Sequence, residues 1–216
     1  GLEYIAITDH TRDLPMTGGQ DEERLLAQLA AIRKLDARQR RLRVLAGAEL
    51  NIRRDGSLDI ADAVLAQLDV VGAGVHSHFH LPRREMTARL IRAMENPHVD
   101  ILLHPTARLL GRRPALDLDM PAVFEAARRT GTALEIDAQP DRLDLAAEHV
   151  RQAIAHGVKL VISSDAHSAR ELRYANELGI GVARRGWATR DDVLNTQPVQ
   201  SLLSWFGRAR SSTAAA

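Results

Sequence analysis

The chain has 216 residues, 45% of them apolar and 26% charged, which suits one globular domain with a sizeable core. Lys and Arg number 29 against 28 Asp and Glu, so a net charge of +1 excludes a strong global attraction to nucleic acid and leaves only local patches. With no Cys there is no disulfide, no thiolate nucleophile and no sulfur-held metal, so any metal must rest on His and carboxylate. No stretch approaches the roughly 18 apolar residues that cross a membrane, which points to the cytoplasm and to no membrane partner.

In chain order, short apolar runs alternate with amphipathic stretches, the pattern of a parallel sheet with helical crossovers. Strands are predicted at 4–8, 43–49, 69–75, 100–103, 133–136, 159–164 and, more briefly, 180–182, each apolar enough to be buried on both faces. Helices are predicted at 21–40, 59–67, 86–94, 120–129, 145–156 and 169–178. The first carries Leu25, Leu26, Leu29, Ile32 and Leu35 at helical spacing, and Gly131 and Gly157 stand where helices should stop. The opening "GLEYIAITDH" reads as an interior strand and not a leader peptide, so material upstream of Gly1 is expected. Residues 1–198 form the expected domain. In 199–216, "SLLSWFGRAR" reads as a short helix closing the barrel with Trp205 and Phe206, and "RSSTAAA" as a disordered tail.

Six or seven such units imply an α/β fold, either a barrel or an open doubly wound sheet. The polar residues favour the barrel. Asp9 and His10 follow the first strand, Glu49 ends the second, His76 the third, His104 the fourth, Asp137 the fifth, and Asp165 with His167 the sixth. All lie at carboxyl ends, which a barrel brings to one mouth and an open sheet strings apart.

Imidazoles and carboxylates in one cluster suit divalent zinc, manganese or iron. Glu49, an acid on an otherwise apolar strand, is the natural bridge between cations, because burying an unpaired carboxylate costs several kcal/mol. The two-residue spacing of Asp165 and His167 lets both point to one face of an extended segment. Asp9 is either an acceptor for a ligand histidine or a helix cap. In "GVHSHFH" only His76 lies at the strand end, leaving His78 and His80 for the loop beside a substrate; His98, His149 and His156 receive no chemistry. There is no "GxSxG" elbow and no phosphate-binding glycine loop, so metal-assisted hydrolysis remains. Phosphate esters suit several cations, with the pairs Arg112-Arg113 and Arg184-Arg185 placed to hold flanking phosphates.

Taken together, "ITDH", "AGAEL", "GVHSHF", "LLHPT", "ALEID" and "VISSDAH" resemble the polymerase and histidinol phosphatase domain superfamily. The stretches "GGQDEERLLAQLAAIRKL", "DGSLDI", "ENPHVDILLHPTARLLGRR" and "GIGVARRGWATRDDVLNT" are similar to its version in family X DNA polymerases of bacteria and archaea. The resemblance implies a distorted seven-unit (β/α) TIM-like barrel, up to three divalent metals with manganese the active one, and a 3′ to 5′ exonuclease acting in DNA repair. By correspondence Glu49 would bridge two metals, His76 and His104 would complete one site, Asp165 would serve the other, and His10 with His167 would hold the third. Glu49, Asp165 and His167 are the implied catalytic residues, and Asp137, where the subgroup often has Asn, is left beside the substrate or behind a ligand. The implied partners are a DNA 3′ end or gapped DNA and polymerase domains upstream in the same parent chain.

One departure is that the family opens with a strand ending in a His-x-His pair, with another ligand a few residues later, and the start of this sequence supplies neither, so the first strand is expected to be missing and the site served by Asp165 short of ligands. Weak or absent activity is the expectation for the chain by itself. Two other readings stand beside the nuclease: a small-molecule phosphomonoesterase of the histidinol phosphatase kind, and a barrel that only supports a polymerase.

Overall fold

The computed structural model describes residues 2–213, with the backbone alone for 15 and 208–213. Six strands lie parallel and side by side in chain order: β1 (Tyr4–Ile7), β2 (Arg43–Asn51), β3 (Val70–Gly74), β4 (Ile101–Leu102), β5 (Ala133–Asp137) and β6 (Leu160–Ser163). The sheet curls through about 236° and stays open between β1 and β6, a distorted incomplete TIM-like barrel with helices along its outside. These are α1 (Glu22–Asp36), α2 (Asp62–Leu65), α3 (Arg83–Met94), α4 (Met120–Thr130), α5 (Ala147–Ala155) and α6 (Ile180–Arg185), with α7 (Val199–Thr213) last.

Local chemistry sets the helix starts. The Asp21 carboxylate accepts the Arg24 N–H and opens α1, with Glu22 and Glu23 at its positive end. Asp119 accepts the Ala122 N–H at the start of α4, where Pro121 lacks only a donor that the first turn leaves unpaired anyway.

Period two divides each strand between two cores. Outward-facing Ala48, Val71, Ala73, Leu102, Leu134, Ile136 and Leu160 pack beneath Leu90 of α3, Phe124 of α4 and Val150 of α5. Inward-facing Leu45, Val70, Ile101, Ala133 and Val161 meet Val199, Leu202 and Phe206 of α7, which plugs the amino-terminal end of the half-barrel. The pairing Ile101 to Ala133 and Glu135 to Val161 keeps these inward residues in register. Thus the inner face is dry at its floor, and the same strands turn polar toward their carboxyl ends.

Several expectations need correction. Residues 180–182 are helical in α6, so the sheet has six strands and not seven. Gly179 lies so close to β6 that a Cβ there would come within 2.5 Å of Ile162 Cγ2, which seats the segment across the strand's outer face. Residues 169–178 form a 3₁₀ turn (Glu171–Arg173) followed by a π-turn (Ala175–Gly179) instead of an α-helix. Helix α1 stops at Asp36, and the segment at 59–67 is helical only over Asp62–Leu65. β1 is half-exposed, because it stands at the sheet's edge. At the far end α7 runs to Thr213, through the first part of the expected tail; 214–216 lie outside the described residues.

Phe206 is 2% exposed at the floor of the inner core. Truncation of Phe206 to Ala is expected to cost about 3–5 kcal/mol, read as a lower urea midpoint. An unchanged midpoint would show that α7 does not fill that floor.

Candidate metal centre

β1 and β2 run on past their apolar stretches as a paired unit. His10 faces Glu49 in a parallel bridge, the Thr11 N–H donates to Glu49 O at 3.2 Å, and the Glu49 N–H donates to Asp9 O at 3.0 Å. Glu49 continues the inward row of Leu45 and Gly47, so its side chain enters the mouth. There Oε1 lies 2.9 Å from His76 Nε2 and 3.0 Å from His104 Nε2, while Oε2 lies 3.7 Å from His10 Nδ1. The rings stand edge to face, 5.2 Å apart for His10 and His76 and 5.1 Å for His76 and His104. Gly74 makes this possible, since a Cβ there would sit 2.5 Å from His104 Cε1 and 3.2 Å from His76 Cε1. Backbone strain marks the same rim: His78, His104 and Asp165 all hold positive φ, at 54°, 28° and 46°.

Burial by itself would push the Glu49 carboxyl up, yet hydrogen bonds and charge from His104 and His76 hold it well below 4.5. Glu49 is therefore an anion. His10 and His104 are lowered by burial, against the opposing pull of Glu49, and so are neutral donors. In His76 and His104 the Nδ1 atoms are buried without a partner. If each Nε2 carries the proton, both Nδ1 lone pairs are stranded; if each Nδ1 carries it, two Nε2 lone pairs face a carboxylate. In the second arrangement a divalent cation would relieve the clash at the Nε2 side by accepting the nitrogen lone pairs and the anionic oxygen together. Among the described residues, His10, Glu49 and His76 form the group whose ligand atoms all lie within 4.8 Å of one another, able to hold one divalent cation.

The other sequence-predicted residues fall around this group at different depths. Asp165 is largely buried past β6, and burial followed by the charge of Glu49 raises its pKa. The two-residue spacing does bring His167 beside Asp165, with its Nδ1 3.8 Å from Asp165 Oδ1, although Asp165 holds positive φ. The His167 ring is mostly exposed, 6.1 Å from that of His10, with Nδ1 2.9 Å from Asp165 O. The Asp9 carboxylate accepts hydrogen bonds from Gln20 and Gln28, and its charge reaches His10. Asp137 is fully buried, and Arg142 Nε stands 3.3 Å from it and 3.5 Å from Asp165. Burial, then the Asp165 charge, pushes Asp137 up to about 8. Arg112 points to solvent and pairs with Asp141 at 2.7 Å. Arg113 donates to Ala107 O and lies 3.9 Å above the Phe79 ring. Arg184 and Arg185 sit exposed in the last turn of α6, with no hydrogen bond to the group among the described residues. His78 and His80 are exposed in the loop after β3, as expected.

Three features were not foreseen. Glu135, 3% exposed, accepts the His104 N–H at 2.5 Å, and burial with the charge of Asp137 pushes it well above 4.5. Its position in the inward row of Ala133 and Asp137 was the available signal. Arg142 comes from a loop and carries no periodicity. The buried trio Thr11, Asn51 and Asp59 joins two strand ends, and only the fold brings it together.

No protein-family model matches the chain. It is 42% identical over 208 residues to the "DNA polymerase/3'-5' exonuclease PolX" of Bacillus subtilis (strain 168), a match covering 96% of this chain and 36% of that protein. The chain therefore spans about a third of the length of that relative. A "probable phosphatase" of Thermoanaerobacter sp. (strain X514) is 28% identical over 209 residues, covering 91% of this chain and 79% of its own. Another from Shewanella sediminis (strain HAW-EB3) is 29% identical over 222 residues, covering 99% and 85%.

Because the ligands must be deprotonated, protons compete with metal. With His10 and His104 lowered from 6.5, Mn²⁺ binding followed from about pH 8 to about pH 5 is expected to hold through the ordinary histidine range and weaken below it. Loss of binding already above that range would contradict the neutral-donor assignment.

Proposed function

We propose that this chain, a metal-binding barrel domain of the polymerase and histidinol phosphatase or amidohydrolase-like kind, hydrolyses phosphate esters with divalent cations. The observation that carries the proposal is the convergence of His10, Glu49 and His76 at the carboxyl ends of three strands. A bound cation supplies positive charge for a phosphoryl oxygen and acidity for a water. The chain does the positioning. Glu49 offers a fixed anion, His10 and His76 offer nitrogen donors, and His104 stands 3.0 Å from the same carboxylate, held through its backbone by Glu135. Asp165 and His167 are the donors for further cations, up to three in all, with manganese first and zinc or iron as alternatives. Arg142 offsets the acidic side of the mouth.

A phosphomonoester is the substrate class favoured by relatives matching over most of both chains, whose names call them phosphatases. A second reading has its own support in the 42% identity to the Bacillus protein, higher than to either phosphatase. On that reading the chain is a 3′ to 5′ exonuclease module acting on a DNA 3′ end or gapped DNA, beside polymerase domains of a family X parent. Arg113 stacked on Phe79 would then offer an arginine and aromatic pair to a nucleotide.

Both readings are tested with one Mn²⁺-loaded sample given an aryl phosphomonoester and a 3′-labelled single strand. Phosphate release without nucleotide release supports the phosphatase. Nucleotide release that falls steeply with salt supports the exonuclease. Turnover of neither by metal-loaded protein would sink the catalytic reading and leave a supporting barrel.

A further inference from the structure

We infer that Asp59 is a positioning residue for the metal group, one buried carboxylate that sets His10 and Glu49 relative to each other. The inference rests on the metal reading above and extends it to a residue that touches neither cation nor substrate.

Asp59 returns to the end of β2 through a tight turn. Ile52 pairs with Leu58 in an antiparallel bridge, the Arg53 N–H donates to Ser57 O at 2.8 Å, and the Gly56 N–H donates to Arg53 O at 2.9 Å. The turn lays Asp59, 2% exposed, beside Asn51, two residues past Glu49. Its Oδ1 accepts the Asn51 N–H at 2.9 Å. Its Oδ2 accepts Asn51 Nδ2 at 2.7 Å and the Asp13 N–H at 3.1 Å. The Thr11 hydroxyl lies 2.8 Å from Oδ1 and 2.7 Å from Oδ2, and Thr11, fully buried, directly follows His10.

One carboxylate thus ties the segment carrying His10 to the segment carrying Glu49, although Thr11 and Glu49, which also share a hydrogen bond, stand 38 positions apart in the chain. Asp59 forms no ion pair among the described residues, and both of its oxygens are met by hydrogen-bond donors, with Arg53 near enough to feel its charge. Both oxygens receive an N–H, so an amide in either orientation sets an NH₂ against one of them. Asp59→Asn therefore loses the tie without opening a cavity. Displacing a residue that orients ligands lowers metal affinity about 10–100-fold.

Mn²⁺ binding to the whole chain, read from the paramagnetic resonance of free Mn²⁺, tests this, with thermal unfolding in chelator recorded in parallel. Asp59→Asn is expected to weaken binding about 10–100-fold. Thr11→Val should fall between it and the wild type, and Thr11→Ser, which restores the hydroxyl, should bind as the wild type does. Equal affinity in Asp59→Asn and wild type would overturn the inference, as would losses that merely track the unfolded fraction at the assay temperature. Should Asp59→Asn not fold, Thr11→Val decides alone by the same criteria. Absence of Mn²⁺ binding by the wild type would overturn the metal reading itself, and the positioning role with it.

Discussion

A carboxylate buried at the mouth of a half-barrel is the constraint around which this structure is arranged. Glu49 is 6% exposed, and an ion so placed costs several kcal/mol unless partners offset it. Its partners come from other strands: His10 after β1, His76 after β3 and His104 after β4. Bringing them within reach requires the curl of the sheet and a bare strand at Gly74, where the His104 ring passes. The floor below needs no such provision. There α7 seals Leu45, Val70 and Val161 in a dry core, so polar and apolar work are divided along the same inward rows.

The two sides of the mouth differ in charge state. Glu49 is held low by imidazoles, whereas Glu135, Asp137 and Asp165 are all raised, each first by burial and then by neighbouring acids. Arg142 is the cation between Asp137 and Asp165. Carboxyl groups whose surroundings drive their pKa values apart in one cleft mark a chemical site more strongly than any one of them does. Arg142 sets one positive charge against this raised bank, on the side where Asp165 would add donors to the histidine group.

Much of this was legible in the sequence, because strand period and strand ends are written in residue type. Apolar runs located all six strands, and a polar residue after each run located the mouth; His10, Glu49, His76 and His104 do converge. Misreadings arose where tertiary contact overrides local pattern. Residues 180–182 look like a strand, but the close seat of Gly179 against Ile162 carries them across β6 as helix. Arg142 and Asp59 sit in loops, where no periodicity speaks for them, and only the fold shows what they hold.

The central claim is that Glu49 and its histidines bind a divalent cation. Elemental analysis of the chain purified without chelator, alongside Glu49→Gln, tests it most directly, since the amide keeps the shape and removes the charge. At least one transition-metal ion per chain in the wild type, largely lost in the variant, is the result expected. A metal-free wild type that also takes up none on dialysis against Mn²⁺ or Zn²⁺, or a variant retaining the full content, would contradict it.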